Sequence, residues 1–226
     1  MPELTILMPC LNEAKTLASC IAEAKKFIDK NGISAEILIA DNGSTDGSPR
    51  IAEECGARVV TAEEKGYGSA LICGINAAEG RYIIMGDCDM SYDFYIIGEF
   101  VRLLRMGYPL VMGNRFGGIE KGAMPFLHRY FGIPFLSWAG RVRFGTKVKD
   151  FHCGIRGFHR DTALSLGFSC KGMEFATEMI AKFALKGCKI AEIPVVLRKD
   201  GRGGKSHIRT FRDGMRHLIF IMTYKK

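Results

Sequence analysis

Two aspartates one residue apart, Asp87 and Asp89, follow an apolar run in "YIIMGDCDMSYD" (82–93). Apolar residues running into paired negative charge are typical of a buried strand whose end enters a polar site. Alternate residues of an extended chain point the same way, so both carboxylates can face one ligand. Hard oxygen donors of this kind suit Mg²⁺ or Mn²⁺. The pair predicts a divalent metal site, although a solvated turn capping the helix at Asp93 is the alternative for such a motif alone.

Two further strand-like runs, "LTILMP" and "EILIAD", also end in polar side chains: Asn12 and Glu13 after the first, and Asp41, Asn42 and Asp46 at and after the second. The carboxyl ends of parallel strands meet at one rim of a sheet, where ligands bind. Acidic groups concentrated there need a counter-cation, and a divalent metal is the simplest. Glu13 and Asp46 could instead cap helices.

The elements that must position these residues alternate along the first half of the chain. Buried strands are predicted at 4–9, 36–41, 58–62, 82–87 and 110–114, with helical patterns at 13–30, 45–56, 67–80 and 93–107. This alternation predicts an α/β fold with a mostly parallel central sheet flanked by helices. In the second half, a helix is predicted at 172–187, a strand at 188–198 and an amphipathic basic helix at 207–226.

Composition sets outer limits. A chain of 226 residues fits a single domain. The net charge of +8 favours an anionic partner such as nucleic acid, a phosphorylated ligand or an anionic membrane surface. Eight scattered cysteines without a CxxC pair indicate reduced, mostly buried thiols. No signal peptide is evident, and no stretch reaches the roughly 18 apolar residues of a membrane span.

Two glycine-rich stretches mimic nucleotide-binding motifs and fail their tests. "GYGSAL" (66–71) lacks the third glycine of a dinucleotide fingerprint, and "KDGRGGKS" (199–206) lacks the first glycine of a P-loop. We interpret 199–206 as a mobile cationic flap, in which Arg202, Lys205 and His207 supply charge for phosphate; solvated loop charges are the alternative.

Taken in order, the motifs "MPCLNE", "ADNGSTDGS", "EKGYGSAL", "GDCDMSYD", "GNRF", "DFHCGIRGF" and "IAEIPVVLRKDGRGGKS" resemble the family 2 glycosyltransferases with a GT-A fold. The last two motifs are similar to those of the dolichyl- or polyprenyl-phosphate sugar transferases. The resemblance covers nearly the whole chain. It implies a single GT-A catalytic domain over 1–226, with a nucleotide-binding half (1–115), an acceptor- and membrane-facing half (116–226) and amphipathic interfacial helices.

On the donor side, the resemblance assigns Asp41 to the nucleoside base, Glu13 to the ribose or base, and Lys65 to a place beside the base. Asn12 is predicted to belong to the same nucleotide site. Asp87 and Asp89 match the pair that holds Mg²⁺ or Mn²⁺ on the donor diphosphate, and Asp89 is counted with the catalytic residues. Mannose synthases of this branch often carry Gln as a further metal ligand where this chain has Ser91.

On the acceptor side, the resemblance assigns Asp150 and Arg156 of "DFHCGIRGF" to catalysis. Arg115 of "GNRF" matches an arginine near the phosphates. Arg198 and Lys205 match basic residues of a flexible active-site loop, and we add Arg202 to this phosphate- and acceptor-binding group. A structural ion pair is the alternative for Arg156.

The implied reaction moves a sugar, with inversion, from a UDP- or GDP-linked donor to a polyprenyl or dolichyl phosphate. A phosphate monoester is largely dianionic at pH 7, so it attacks without a strong base. Aromatic and basic residues in 124–145 and 208–226 fit helices lying on a membrane, although Trp138 and its neighbours could be ordinary core. The expected partners are the nucleotide sugar, the lipid and the membrane surface, without nucleic acid; a homo-oligomer is compatible with the sequence. The expected location is the cytoplasmic face of a membrane, peripheral or anchored by C-terminal helices absent from this chain.

Alternatives remain open. A soluble family 2 transferase that acts on a glycan hydroxyl in cell-envelope polysaccharide synthesis would need a carboxylate base, for which Asp150 is the candidate. A nucleotide-sugar or RNA binding module would lack metal dependence, and the acidic residues at the predicted strand ends disfavour it. A nucleotidyltransferase would open with a Gly-rich basic loop, which "PCLNEAKT" is not.

Overall fold

A seven-stranded sheet forms the centre of the protein, whose computed structural model describes residues 1–203 and 210–224. The strand order is β3-β2-β1-β4-β6-β5-β7. The strands are β1 (Leu4–Cys10), β2 (Ala35–Asp41), β3 (Arg58–Thr61), β4 (Tyr82–Met85), β5 (Leu110–Asn114), β6 (Arg156–His159) and β7 (Ile190–Pro194). All pairings are parallel except those of β6, which runs antiparallel to β4 and β5. The predicted mostly parallel α/β fold is confirmed.

Strand β6 was not predicted from the sequence. Its four residues, "RGFH", include an arginine and a glycine, which have little intrinsic preference for strands. Pairing on both sides creates the strand: Arg156 lies opposite Met85 of β4 and Met112 of β5. One strand from residues 116–226 therefore lies between two from residues 1–115, and a functional division at residue 115 stays a prediction.

Helices cover both faces of the sheet. They are α1 (Leu17–Asn31), α2 (Ser48–Glu54), α3 (Tyr67–Ala77), α4 (Gly98–Arg105), α5 (Ile133–Phe144), α6 (Arg160–Leu166), α7 (Phe175–Leu185) and α8 (Thr210–Thr223). The helix predicted from residue 13 begins at Leu17, directly after a turn in which the amides of Thr16 and Leu17 both donate to the Glu13 carbonyl. Helix α6 was missed by the sequence analysis.

The core consists of two layers because side chains alternate along each strand. Ile6 and Met8 of β1 pack into the layer beneath α1 and α4, together with residues such as Phe27 and Phe100. Leu7 and Leu38 point to the opposite layer, beneath α3 and α7. Because β1, β2 and β4 are parallel, the polar residues that follow them lie together at one end of the sheet.

An exposed aromatic face covers the turn before α5, helix α5 itself and one side of α8. Its members are Phe126, Leu127, Tyr130, Phe131, Phe135, Trp138, Val142, Phe211, Met215, Ile219 and Met222. Trp138 is 54% exposed, so the interpretation of it as core is wrong. Phe144 packs against Phe220, with ring centroids 6.3 Å apart, and joins α5 to α8. Among the described residues, no helix is both long and apolar enough to cross a membrane.

Candidate active site

The loop after β2 folds around the Asp41 carboxylate. Asp41 is 3% exposed and accepts hydrogen bonds from the amides of Gly43 (3.0 Å) and Ser44 (3.2 Å). Asn12 follows β1 in a left-handed conformation with φ of 58°, and its side-chain oxygen accepts from the Thr45 amide at 2.8 Å. Asn12 thus joins the loops after β1 and β2. Together these loops form one wall of the site, and this wall carries Asp41.

The neighbouring loop brings Lys65 to the same wall. Asn42 accepts a hydrogen bond from the Gly66 amide at 2.7 Å and donates to the Glu64 carbonyl at 2.8 Å, which fixes the loop on either side of Lys65. The exposed Lys65 ammonium lies over Gly43. The structure therefore brings together three predicted nucleotide-site residues, Asn12, Asp41 and Lys65.

The segment after β4 carries the paired aspartates. Tyr67 of α3 donates a hydrogen bond to Asp87 Oδ1 at 3.1 Å, and the Ser91 amide donates to Asp89 Oδ1 at 3.0 Å. Gly154 leaves room for Asp87, because a Cβ at Gly154 would lie 2.4 Å from Asp87 Oδ2. Burial, followed by the charge of Asp89, raises the pKa of Asp87 to about 6. The two carboxylates are thus close enough to repel each other.

Arg202 enters this acidic cluster from the far end of the chain. Its guanidinium donates to Glu13 Oε1 at 2.9 Å and to Asp89 Oδ2 at 3.1 Å. Asp200 also holds it, accepting from Arg202 Nε at 2.7 Å. Burial raises the pKa of Glu13 to about 7 although Arg202 opposes the shift. The cluster of Glu13, Asp87, Asp89 and Arg202 is called the acidic rim below.

The acidic rim fits a divalent metal. Asp87 and Asp89 offer hard oxygen donors side by side, as Mg²⁺ and Mn²⁺ prefer. Within residues 1–203 and 210–224, no group of three or more His, Cys, Asp or Glu side chains forms a complete metal cage. Such an ion would therefore be held by Asp87 and Asp89 together with water and substrate oxygens, the usual arrangement for Mg²⁺ at phosphates.

The acceptor-side pair, Arg115 and Asp150, forms a buried bidentate ion pair. Arg115 Nε and Nη2 lie 2.7 Å from the two Asp150 oxygens, and the Arg115 amide donates to Asp150 as well. Arg115 is 7% exposed and Asp150 is fully buried. The structure places both beside the Asp87 segment, since the Arg115 charge acts on Asp87. Neither charge of the pair faces solvent in this arrangement.

Arg156 supports the loop that carries Asp150. Its three guanidinium nitrogens donate to the carbonyls of Cys153 (2.9 Å), Ala176 (2.7 Å) and Phe151 (2.9 Å). At 1% exposure, its charge points into the protein. An ion pair is not its role, and its geometry is that of a residue that positions others. Direct catalysis by Arg156 and Asp150 stays a prediction.

Arg198 is the one remaining predicted basic residue in the described part of the chain, and its ion pairs lie outside the acidic rim. Arg198 pairs with Asp93 and, at 3.4 Å, with Glu23, so it lies beside the rim and contacts none of its members in the interactions observed. Lys205 and His207 fall outside the described residues, and their roles stay predictions. Asp46 accepts from the amides of Ala14 and Ser48, in agreement with the structural role considered for it.

Several residues at the site escaped the sequence analysis. Tyr67, Asp200 and Gly154 touch rim residues, and Tyr92 accepts a hydrogen bond from the Gly154 amide at 2.9 Å. None lies in a spacing that predicts its partner, because each meets the rim through long-range packing. Gly66 and Gly68 of "GYGSAL" permit close packing: a Cβ at either would lie about 2 Å from the carbonyl of Lys171 or Cys170.

Sequence comparison shows the family. The family described as Glycosyl transferase family 2 matches residues 5–165. Relatives in Haloferax volcanii include the low-salt glycan biosynthesis hexosyltransferase Agl6, 39% identical over 98% of this chain, and a dolichyl-phosphate hexose transferase, 31% identical over 94%. The chain spans 53% of the length of Agl6 and 89% of the second relative. It belongs to glycosyl transferase family 2, and the second relative is consistent with the dolichyl-phosphate branch.

Solved structures show the fold. Glucosyl-3-phosphoglycerate synthase from Mycobacterium tuberculosis, in complex with Mn²⁺, UDP-glucose and phosphoglyceric acid, superposes with a TM-score of 0.78 over the whole of this chain and 81% of its own. A complex of the same enzyme with Mg²⁺ and UDP gives 0.76. Sequence identity is 22% in both cases. The chain therefore has the GT-A glycosyltransferase fold expected from its motifs.

Proposed function

We propose that this chain is the catalytic domain of an inverting transferase that moves a sugar from a nucleoside-diphosphate sugar to a polyprenyl or dolichyl phosphate. The observation that carries the proposal is the convergence of Asp41, Glu13, Asp87 and Asp89 at one end of the sheet, with Arg202 among them. The name of the dolichyl-phosphate hexose transferase and the UDP complexes of the mycobacterial enzyme support it.

In the proposed site, the wall formed by Asn12, Asp41 and Lys65 binds the nucleoside. Asp87 and Asp89 would hold Mg²⁺ or Mn²⁺, and such an ion would supply positive charge to stabilise the nucleoside diphosphate as the leaving group. Arg202 supplies further positive charge for phosphate oxygens. These groups lie in a partly buried rim, where electrostatic stabilisation is stronger than in water.

The acceptor phosphate attacks as a dianion and needs no base. This agrees with Asp150, whose oxygens are occupied by Arg115 and which is fully buried. A base that removes a proton must lie within hydrogen-bond reach of that proton. The glycan-hydroxyl alternative is therefore the weaker one, because its candidate base would first have to leave Arg115.

The aromatic face supplies the proposed contact with the membrane that contains the lipid. Large aromatic side chains exposed beside basic residues, such as Trp138 and Phe135 next to Arg141 in α5, suit the boundary between headgroups and acyl chains. The proposed location is the cytoplasmic face of the membrane. When Phe135 and Trp138 are both replaced by serine, affinity for vesicles containing anionic lipid should fall at least about tenfold, because two apolar side chains no longer enter the membrane.

A donor screen tests the function. Purified protein is incubated with Mg²⁺ or Mn²⁺, a panel of UDP- and GDP-sugars and a short polyprenyl phosphate, with Asp89→Asn as the matched control. Lipid-linked sugar from one donor, absent with Asp89→Asn and after EDTA treatment, is the expected result. Transfer to a soluble glycan but to no lipid phosphate would favour the hydroxyl alternative. If no donor gives either sugar transfer or hydrolysis, that result would count against both the lipid-phosphate and the glycan-hydroxyl reactions.

A further inference from the structure

Arg202 is bound in the acidic rim by side chains from three separate segments. It contacts Glu13 after β1, Asp89 after β4 and Asp200 of its own segment. The side chains of Arg202, Glu13 and Asp89 are 16%, 7% and 13% exposed. One guanidinium thus offsets part of the charge of several carboxylates that are largely withdrawn from water.

Arg202 donates a hydrogen bond to Asp89, which is one of the two carboxylates assigned to the metal. Arg202 Nη2 donates to Asp89 Oδ2 at 3.1 Å, while Oδ1 accepts from the Ser91 amide. A guanidinium and a divalent ion at the same carboxylate oxygen repel each other, so each weakens the binding of the other. Arg202 and the ion must therefore influence each other's binding.

The backbone before Arg202 is fixed independently of its side chain. The Gly201 amide donates to the Asp89 carbonyl at 2.8 Å, and the Arg198 amide donates to the Ser91 carbonyl at 2.9 Å. The segment 198–201 is therefore held against residues 89–91 by main-chain bonds. The Arg202 guanidinium can leave Asp89 while its anchor stays in place, so it remains within side-chain reach of whatever binds at the rim.

We infer that Arg202 is an exchangeable counter-cation: it neutralises Asp89 and Glu13 until a divalent cation takes Asp89, and the released guanidinium then binds phosphate. The metal half of this inference rests on the proposed function. Binding of the ion and of a phosphate-bearing ligand are coupled through this one side chain, since the ion releases the guanidinium that the phosphate needs.

The buried pair of Arg115 and Asp150 shows why exchange belongs to Arg202. Arg115 satisfies one carboxylate in a bidentate contact, and that carboxylate is fully buried. Arg202 instead divides its contacts among Glu13, Asp89 and Asp200, and the side chains of Glu13 and Asp89 keep 7% and 13% exposure. A divalent ion therefore has an access route to Asp89, whose contact with Arg202 is a single hydrogen bond and not a bidentate pair.

The test is Mn²⁺ binding without nucleotide, measured by the electron paramagnetic resonance signal of free Mn²⁺. We expect Arg202→Gln to bind Mn²⁺ on the order of tenfold more tightly than the wild type, within the range typical of coupled sites. Arg198→Gln is the matched control: it removes the same charge from the same segment, but Arg198 pairs with Glu23 and Asp93. Its Mn²⁺ affinity should stay within about twofold of the wild type.

Thermal unfolding gives a second readout that needs no turnover. Arg202→Gln should have a lower Tm than the wild type in EDTA, because Asp89 and Glu13 lose a counter-charge. Added Mn²⁺ should raise its Tm more than it raises that of the wild type. Adding UDP should strengthen Mn²⁺ binding less in Arg202→Gln than in the wild type, since the phosphate contact is missing.

Three outcomes overturn the inference in different ways. Equal Mn²⁺ affinity in the wild type and Arg202→Gln rejects exchange while leaving the proposed metal site intact. Equal tightening by Arg198→Gln assigns the effect to net charge and also rejects it. No Mn²⁺ binding by any of the proteins, with or without UDP, overturns both the exchange and the metal part of the proposed function.

Discussion

The acidic rim and the loop that carries Asp150 use the same residue types in opposite ways. At the rim, carboxylates from separate strands converge and receive a counter-cation from the distant Arg202. In the loop, Asp150 has a dedicated arginine, and Arg156 is occupied by three carbonyls. The rim shares one arginine among carboxylates that keep some contact with solvent, whereas the carboxylate of the loop is fully buried in a bidentate ion pair. We infer that the rim does chemistry and the loop holds the shape of the site.

The largest effect should come from Asp89→Asn. The substitution keeps the side-chain volume but removes one of the two carboxylates proposed to hold the metal. We expect sugar transfer to fall by about 10³-fold, the scale on which loss of one electrostatic stabiliser acts. Initial rates at saturating Mn²⁺ measure this, with Tm as the check on folding. Near-normal transfer would mean that the rim is not the reactive region.

Arg156→Gln should act mainly on stability. Three carbonyls lose a charged partner in a fully buried position, which we expect to lower the free energy of unfolding by about 3 kcal/mol. Urea denaturation measures the loss. Arg50→Gln on the surface of α2, whose ion pair with Glu54 spans 3.5 Å, is the control and should change stability by less than about 0.5 kcal/mol. If Arg156→Gln is as stable as the wild type but inactive, Arg156 belongs to the chemistry instead.

Asp150→Asn separates the two kinds of acceptor. With a phosphate acceptor, the variant should keep partial activity, roughly 1–10% of the wild type, because the damage is to the position of Arg115. With a hydroxyl acceptor, Asp150 would be the base and the variant would be inactive at every pH. A pH series of transfer rates from 6 to 9 distinguishes these cases, and complete loss throughout would reverse our ranking of the acceptors.

The smallest effect should be a pH dependence of opposite sign in the two regions. The pKa of Glu13 is raised from 4.5 to about 7, so the folded state keeps a proton that the unfolded chain has released. Stability from this group therefore falls as the pH rises from about 4.5 to 7. Burial lowers the pKa of His217, which packs edge-on against His152, from 6.5 to about 4. Its contribution is complete above pH 6.5 and is lost as the pH falls toward 4.

Tm measured between pH 4 and 8 in EDTA checks both signs. Glu13→Gln should flatten the decline toward pH 7, and His217→Asn should flatten the loss toward pH 4. If Glu13→Gln leaves the Tm profile unchanged, burial at the rim does not disfavour the charged form of Glu13, and the contrast between the two regions weakens.

Local sequence patterns were enough to locate the strands and the acidic residues that follow them. Apolar runs that end at Asp41 and Asp87 predict strands. Because parallel strands bring their carboxyl ends to one end of a sheet, the sequence predicts that these residues lie close together even when no tertiary contact is known. The same local rules predicted α3, α4 and α7 from their apolar spacing. Motif resemblance added the family, which the match over residues 5–165 confirms.

The partner of each buried charged group depends on long-range packing and is visible only in the folded structure. Strand β6 forms because β4 and β5 pair with it on both sides, and only that placement buries Arg156 among carbonyls. Arg202 reaches Glu13 across 189 positions of sequence, a separation that no local pattern encodes. Strand ends follow from short-range periodicity, so the sequence predicts where the carboxylates lie. Ion pairs depend on long-range packing, so only the folded structure shows which residue each carboxylate contacts.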